Sequence, residues 1–256
     1  MLYADEMADI RMAVIGAGSW GTTVASVAAA NTPTVLWARR ESVVQAINTD
    51  HVNPDYINSI PLSAKLRATS SLEEAVSSAD VLVMAVPSQG FRQVLEEAKP
   101  FLRPWVPVVS LSKGLEAGSM LRMSEVAKQV LPGHPVAVLT GPNLASEISL
   151  GQPAATVVAI DDAVIATALQ ELFSSPTFRV YTNPDVVGCE IAGVVKNVIA
   201  IASGMAQGMG FGDNTRAPKQ RRVRIHPMWA KAQVAGDSLA GGVNHGHDAF
   251  LTTLTR

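Results

Sequence analysis

Cysteine is almost absent from this chain of 256 residues, and Cys189 is the single example. One cysteine excludes an internal disulfide framework and a thiolate metal site, and it favours a reducing compartment. The five histidines and the single cysteine do not show the spacing of a zinc site. There is also no Gly-x-x-x-x-Gly-Lys-Ser/Thr phosphate loop and no supported Ser-His-Asp assignment. We therefore predict a protein that binds no metal.

Strong charge of either sign is missing too. The 20 basic and 22 acidic residues give a net charge of −2, which favours neither nucleic acid nor a membrane surface as a partner. The first ten residues include three acidic residues and no apolar core, unlike a secretory signal peptide, so we predict a cytoplasmic location. The stretch 191–212 has Lys196 as its one charge, but it also holds five glycines. We predict a buried helix and a loop there, without stable membrane insertion.

Short apolar runs alternate with segments of helical spacing over about 180 residues, which is typical of an α/β protein with a mostly parallel, Rossmann-like sheet and helices on both faces. Strands are predicted at 12–15, 34–37, 81–86, 106–111, 136–139, 156–160 and 178–181, and helices at 22–30, 41–48, 71–76, 91–99, 120–130 and 163–173. The Asn183-Pro184-Asp185 break then ends the strand pattern. We predict a dinucleotide-binding domain over 1–182 and a partial all-α domain over 183–256.

Three glycines follow the first predicted strand at the spacing Gly-x-Gly-x-x-Gly, namely Gly16, Gly18 and Gly21. In a dinucleotide site the first permits a tight turn, the second lets a pyrophosphate approach the backbone, and the third allows close packing of helix and strand. The free amides at the helix start then face the dianionic group. The alternative is an ordinary glycine turn, but the flanking strand and helix favour a cofactor site.

The second predicted strand ends at Arg39 and Arg40, where an NAD-selective fold has an acidic residue that binds the ribose 2′-hydroxyl. A guanidinium favours a 2′-phosphate through its charge and its paired donors. We therefore predict NADP as the cofactor, or tolerance of both NADP and NAD. The alternative is that both arginines are simply solvated.

Two further strand ends carry polar residues that are candidates for substrate binding. Lys113, between Ser112 and Gly114, can bind a phosphate or polarise a carbonyl, or it can be an ordinary loop lysine. Asn143 follows a predicted strand in Thr140-Gly141-Pro142-Asn143. It is a suitable helix cap, and its amide can also reach a substrate hydroxyl.

Lys196 stands in an otherwise apolar helical segment, beside Asn197. Such a lysine either extends its charge outward or serves in chemistry, for example as a general acid or base. Hydride transfer needs a cofactor, a positioned carbonyl and a proton donor, and it needs no metal.

Four stretches together resemble the bacterial-type NAD(P)-dependent glycerol-3-phosphate dehydrogenases over about residues 10–217. They are Gly-Ala-Gly-Ser-Trp-Gly-Thr at 16–22, Ser-Leu-Ser-Lys-Gly-Leu-Glu at 110–116, Gly-Pro-Asn-Leu-Ala-Ser-Glu at 141–147, and the segment from Asp185 through Val195-Lys196-Asn197-Val198 to Arg216. The resemblance implies reduction of dihydroxyacetone phosphate to sn-glycerol 3-phosphate, or the reverse, in glycerophospholipid synthesis. It implies cofactor contacts at Ser19, Trp20, Arg39 and Ala145, with Lys113 touching both cofactor and substrate.

For the substrate, the resemblance implies contacts at Gly141 and Asn143, and it makes Lys196 the proton-transfer residue. The Lys196-Asn197 pair is distinctive of the family, and we predict that both residues contact the substrate. Related β-hydroxyacid and 6-phosphogluconate dehydrogenases combine a similar sheet domain with a lysine-bearing helical domain, and they remain the nearest alternative. The Ser-Lys-Gly and Gly-Pro-Asn motifs favour the glycerol-3-phosphate family.

The tail departs from the family pattern from about residue 217. Residues 213–256 carry seven basic and three acidic residues, a net charge of +4, whereas residues 1–212 carry 13 basic and 19 acidic residues, a net charge of −6. Helical periodicity and the family's later Ser-Arg-Asn motif are both absent there. We predict a truncated or frame-shifted member that binds NADP(H) with impaired turnover. Because the apolar faces that should bury the helix at 191–209 are missing from this tail, we expect that helix to be exposed and to promote aggregation or homodimer formation.

Overall fold

The structure is a computed structural model that describes residues 10–211. Eight strands form one sheet: β1 Met12–Ile15, β2 Thr34–Trp37, β3 Arg67–Thr69, β4 Val81–Met84, β5 Val108–Ser110, β6 Val136–Thr140, β7 Ala154–Ala159 and β8 Phe178–Asn183. In this part of the chain, eight α-helices accompany them: α1 Ser19–Ala28, α2 Glu41–Asp50, α3 Leu72–Ser77, α4 Phe91–Ala98, α5 Met123–Val130, α6 Ala145–Ser149, α7 Ala163–Phe173 and α8 Val186–Gly208. Short 3-10 turns lie at Ser88–Gly90 and Lys99–Phe101.

The strand order is β3-β2-β1-β4-β5-β6-β7-β8. Strands β1 to β6 are all parallel, β7 is antiparallel to β6, and β8 is parallel to β7. The chain leaves β1 toward β2 on one side and reaches β4 on the other, so the loops after β1 and β4 diverge and open a crevice at the carboxyl ends of the strands. The predicted Rossmann-like, mostly parallel sheet is confirmed.

Alternation along the strands divides the core between two faces. In β1, Met12 and Val14 belong to the cluster that includes helices α1, α2 and α7, whereas Ala13 and Ile15 belong to the cluster that includes α3, α4 and α5. All four side chains are essentially inaccessible to solvent. Because both faces are covered, the buried strands are continuous apolar runs.

Strand β3 is absent from the sequence prediction, because its three residues, Arg-Ala-Thr, form no apolar run and acquire strand geometry by pairing with β2. The Ser71-x-x-Glu74 spacing is that of a capping box, but only half of this box is formed. The Ser71 hydroxyl accepts a hydrogen bond from the Glu74 amide at 3.1 Å, but the Glu74 carboxylate instead accepts one from the Thr69 hydroxyl at 2.5 Å.

Asn143 does not cap a helix, which was one of the two roles considered for it. Helix α6 begins at Ala145 with Leu144 as its cap residue, and the Asn143 amide donates to the carbonyl of Ala155 at 2.9 Å. The side chain therefore ties the loop after β6 to β7.

Helix α8 is buried on one side only, which corrects the expectation of a buried helix over 191–212. Val198, Ile201 and Met205 are 62–65% exposed, whereas Cys189 and Glu190 are 3–4% exposed. Among the described residues, α8 is the one helix whose length and apolar composition would suffice to cross a membrane, a test that a core helix also passes. The predictions on Met1 to Asp9 and on the tail from about residue 217 lie outside the described residues.

Candidate active site

A cleft of about 710 Å³ opens at the carboxyl ends of the parallel strands, where the strand order reverses. The glycine turn after β1, the end of β2, and the loops after β4 and β5 form its walls. Its lining residues are Gly16, Ala17, Gly18, Trp20, Gly21, Trp37, Ala38, Arg39, Arg40, Val43, Asp55, Tyr56, Ala85, Val86, Pro87, Gly90, Val94, Leu111 and Ser112.

Glycine is required at two positions of the turn after β1. Gly16 has φ +117°, and a Cβ on it would lie 2.7 Å from the carbonyl oxygen of Ala85. A Cβ on Gly21 would lie 2.0 Å from the carbonyl oxygen of Gly16, so only glycine lets α1 approach the turn so closely.

Gly18 differs from these two, because a Cβ there would meet nothing within 4 Å. It is the cap residue of α1, and no side chain accepts a hydrogen bond from the first turn of that helix. The uncapped helix start therefore opens on free space, which fits a pyrophosphate bound by backbone amides.

Trp20 is one of the residues that line the cleft. Its indole Nε1 is buried and has no hydrogen-bond partner among the described residues. Its ring packs edge-on against Phe178 with the ring centroids 6.2 Å apart. Ser19 lies between Gly18 and Trp20 at the start of α1. Ala145 lies beside the same helix, because its carbonyl accepts from the Thr23 hydroxyl at 3.3 Å.

The two arginines after β2 both line the cleft, but their partners differ. Arg40 forms an ion pair with the carboxylate of Asp55, which also lines the cleft. Arg39 makes no hydrogen bond or ion pair within residues 10–211, and it is exposed. Arg39 is therefore the arginine whose charge is not already compensated by the protein.

Lys113 lies one residue beyond Ser112, which lines the cleft. Its Nζ donates to the carbonyl of Gly141 at 3.2 Å, so it spans from the loop after β5 to the loop after β6. Burial disfavours the ammonium, and the nearby Lys196 charge adds to the effect, so the pKa of Lys113 falls to about 8.

Side chains of α4 and of the 3-10 turn before it, Ser88–Gly90, hold the loop that carries Lys113, an arrangement that the sequence analysis did not predict. The Arg92 guanidinium donates to both carboxylate oxygens of Glu116, at 2.7 and 2.9 Å. This pairing, together with a hydrogen bond from Ser119, lowers the pKa of Glu116 to about 2. Gln89 accepts from the Ala117 amide at 3.0 Å and donates to the Leu115 carbonyl at 3.1 Å.

Helix α8 crosses this loop at Gly193. A Cβ there would lie 3.1 Å from the Thr140 hydroxyl oxygen and 3.7 Å from Cγ of Lys113. Lys196 is one helical turn further along and on the same side of α8, close enough for its charge to act on Lys113. The side chain of Asn197 lies outside the described part of the structure.

The end of β6 holds two polar oxygens without partners. The Thr140 hydroxyl and the Asn143 amide oxygen Oδ1 are buried and accept no hydrogen bond from the described residues. Between them, Gly141 has no room for a side chain, because a Cβ would lie 2.7 Å from Asn143 Oδ1. Thr140 was quoted in the sequence motif but was not predicted to be a site residue.

A buried carboxylate fixes α8 to the sheet domain. Glu190 accepts from the Ser124 amide at 2.9 Å, the Ser124 hydroxyl at 2.6 Å and Arg122 Nη1 at 3.0 Å. Its side chain is 2% exposed. Since Lys196 follows six positions later on α8, this contact helps to set where Lys196 lies.

Replacing Glu190 with glutamine is expected to lower the free energy of unfolding by about 2 kcal/mol, because a buried, charge-assisted set of hydrogen bonds is lost. Arg122 keeps its ion pair with Glu125 at 2.8 Å, which limits the cost. Chemical denaturation measures the change. Glu147→Gln, at an exposed position of α6, is the matched control and should change stability by less than about 0.5 kcal/mol. Equal stabilities of the two variants would contradict the assignment.

The sequence-predicted residues thus form two groups. Gly16, Gly18, Trp20, Gly21, Arg39 and Arg40 line the cleft, while Lys113, Gly141, Asn143 and Lys196 gather around the end of β6. Within residues 10–211, no three His, Cys, Asp or Glu side chains form a group that could hold a metal ion.

The fold and the cleft define a dinucleotide-binding protein with a Rossmann-type sheet. The chain belongs to the NAD-dependent glycerol-3-phosphate dehydrogenase family, because the family's N-terminal model matches residues 11–166 and its C-terminal model matches residues 185–224. The resemblance in sequence is thereby confirmed. The family consists of oxidoreductases that depend on NAD(P). The match to the C-terminal model extends past residue 217, the position from which we expected the tail to depart from the family pattern.

Named relatives agree with this family. The chain is 58% identical over 208 residues to glycerol-3-phosphate dehydrogenase [NAD(P)+] 2 of Sphingopyxis alaskensis, covering 81% of this chain and 62% of the relative. It is 53% identical over 215 residues to the Mycobacterium avium enzyme, covering 84% and 63%. The solved glycerol-3-phosphate dehydrogenase of Coxiella burnetii is 33% identical with a TM-score of 0.78, covering 83% of this chain and 66% of that one. The chain therefore spans about 62% of the length of its curated relatives.

Proposed function

We propose that the whole protein interconverts dihydroxyacetone phosphate and sn-glycerol 3-phosphate with NADPH or NADH, and so supplies glycerophospholipid synthesis. The observation that carries the proposal is the juxtaposition of Lys113 and Lys196 at the end of β6, beside the cleft of the glycine turn. The printed names of the relatives, which are glycerol-3-phosphate dehydrogenases [NAD(P)+], support the same reaction.

The cleft supports binding of the cofactor. The helix start at Gly18 would hold the pyrophosphate, Trp20 would line the pocket, and Arg39 would pair with a 2′-phosphate. Ser19 begins the helix after the turn, and Ala145 lies beside that helix. When bound, the reduced nicotinamide supplies the hydride.

The lysines support the rest of the chemistry. An ammonium on Lys113 attracts a dianionic substrate and polarises its carbonyl, while Lys196 donates the proton that the carbonyl oxygen takes up on reduction. The unpartnered oxygens of Thr140 and Asn143 suit a substrate hydroxyl, which needs an acceptor. In this proposal Gly141 and Asn197 complete the substrate contacts.

A second candidate is a protein that holds the nucleotide without turnover, as predicted for a divergent tail. The related β-hydroxyacid and 6-phosphogluconate dehydrogenases are set aside by the family match over residues 11–166 and 185–224. Adding dihydroxyacetone phosphate and following NADPH absorbance distinguishes the proposed reaction from the second candidate. Oxidation of NADPH supports the proposed reaction, whereas cofactor binding without oxidation supports the second candidate.

NADPH is expected to bind at least as tightly as NADH, and Arg39→Ala is expected to weaken NADPH by roughly 10- to 100-fold, because one charge-assisted phosphate contact is lost. Calorimetric or fluorescence titration of both cofactors measures this. Arg67→Ala, at the exposed start of β3 and outside the lining of the cleft, is the control and should leave both affinities unchanged. Tenfold tighter binding of NADH to the unchanged protein would refute the cofactor assignment.

The remaining predictions belong to the same proposal. They are a phosphorylated small-molecule substrate, a cytoplasmic location, and no metal, nucleic-acid or stable membrane partner. The exposed side chains of α8, among them Val198, Ile201 and Met205, support association into a homodimer.

A further inference from the structure

An ion pair stands inside the cleft at the place where the two cofactors would differ. Arg40 is the cap residue of α2, directly after β2, and Asp55 lies 15 residues later in the segment after α2. Both residues line the cleft, and the side chain of Arg40 is 60% exposed while that of Asp55 is 29% exposed. The carboxylate therefore neutralises one of the two guanidinium groups that a 2′-phosphate would meet.

The position of Asp55 is built into the cofactor turn by Asn53. Asn53 is fully buried, and its amide donates to the Ala17 carbonyl at 2.9 Å and to the Thr22 hydroxyl at 2.8 Å. Its oxygen Oδ1 accepts a hydrogen bond from the backbone amide of Asp55 at 3.2 Å. Because Ala17 belongs to the glycine turn itself, these hydrogen bonds fix the position of the Asp55 backbone relative to the cofactor cleft.

We propose that Asp55 is a specificity-determining residue that limits the preference for NADPH over NADH. This inference rests on the proposed cofactor site. A 2′-phosphate is repelled by the Asp55 carboxylate and is attracted to Arg39, whereas Arg40 is already engaged. The uncharged 2′-hydroxyl of NADH experiences neither effect. The ion pair therefore reduces the difference in affinity between NADPH and NADH, although the end of β2 carries two arginines and no acidic residue.

The test is Asp55→Asn, which preserves the shape of the side chain and removes its charge. NADPH is expected to bind about tenfold more tightly, since Arg40 becomes available for a charge-assisted contact, and NADH is expected to change less than twofold. Adenosine 2′,5′-bisphosphate and AMP serve as smaller probes that need no nicotinamide site. Raising the salt concentration should reduce the NADPH gain.

Three further variants make the result specific. Asp161→Asn removes the same charge from an exposed position after β7, four strands away from β1 and outside the cleft lining, and should change neither affinity. Asp55→Glu keeps the charge and should retain the original cofactor ratio. In the double variant Arg40→Ala with Asp55→Asn, the part of the NADPH gain that comes from freeing Arg40 should disappear, and only the smaller gain from lost repulsion should remain.

An unchanged ratio in Asp55→Asn, or equal weakening of NADPH and NADH, would overturn the assignment of Asp55 while leaving the cofactor site intact. If the unchanged protein bound neither nucleotide, the proposed cofactor site itself would fail.

Discussion

Replacing Lys196 with alanine in the whole protein is expected to reduce turnover of dihydroxyacetone phosphate by about 10²- to 10⁴-fold, the usual contribution of general acid–base catalysis. Lys196 follows Gly193 by one turn of α8, and Gly193 lies against Thr140 and Lys113. Lys196 therefore faces the end of β6 rather than the exposed side of the helix. Affinity for NADPH should change less than twofold, because the residue does not line the cofactor cleft.

Steady-state kinetics and a cofactor titration on the same preparation separate the two effects. Lys196→Arg keeps the charge but donates its proton poorly, so it should remain as slow as the alanine variant. Lys128→Ala, at an exposed position of α5, is the control and should retain full turnover. A Lys196→Ala variant with near-normal turnover would remove Lys196 from the mechanism.

Replacing Lys113 with methionine is expected to lower kcat/KM for the dianionic substrate by about 10- to 100-fold, because one charge-assisted phosphate contact is lost. The unchanged enzyme should also show a pH dependence. Since the pKa of Lys113 lies at about 8, the ammonium is present below that pH and is lost as the pH rises through it. The value of kcat/KM should therefore fall as the pH rises above about 8.

The direction of this dependence can be checked with Lys113→Arg, whose guanidinium stays charged and should remove the decline near pH 8. A bound anionic substrate stabilises the ammonium of Lys113 and so raises its pKa. The pH dependence of kcat reports the enzyme–substrate complex, so its inflection should lie at higher pH than the inflection in kcat/KM, which reports the free enzyme. Lys99→Met, exposed in the turn after α4, is the control. An identical pH profile for the unchanged enzyme and Lys113→Arg would show that another group causes the decline.

Much of the fold was predictable because its signals are local. The bounds of β1, β2 and α7 agree with the prediction to the residue, since apolar runs and helical spacing in those segments coincide with their buried faces. The strand β3 was missed because Arg67–Thr69 carries no pattern of its own. The predicted start of the helix at residue 120 was wrong. Met120 has φ +58°, which a helix does not allow, and α5 begins only at Met123.

The sequence by itself determined the glycine turn, the family and the candidate lysines. Spacing such as that of Gly16, Gly18 and Gly21 encodes a backbone geometry that needs no knowledge of distant residues. Motif comparison likewise requires only short stretches. These properties follow from local sterics and from chemistry carried by single residues.

Only the tertiary structure decided which charges meet. Arg40 pairs with Asp55 across 15 positions, and Arg122 pairs with Glu190 across 68, whereas Arg39 has no partner within residues 10–211. The order of residues does not show which of the two arginines has its charge compensated, because both follow the same strand and carry the same group. The difference arises from the packing of distant segments, which sets each ion's distance to an opposite charge and the amount of water between them.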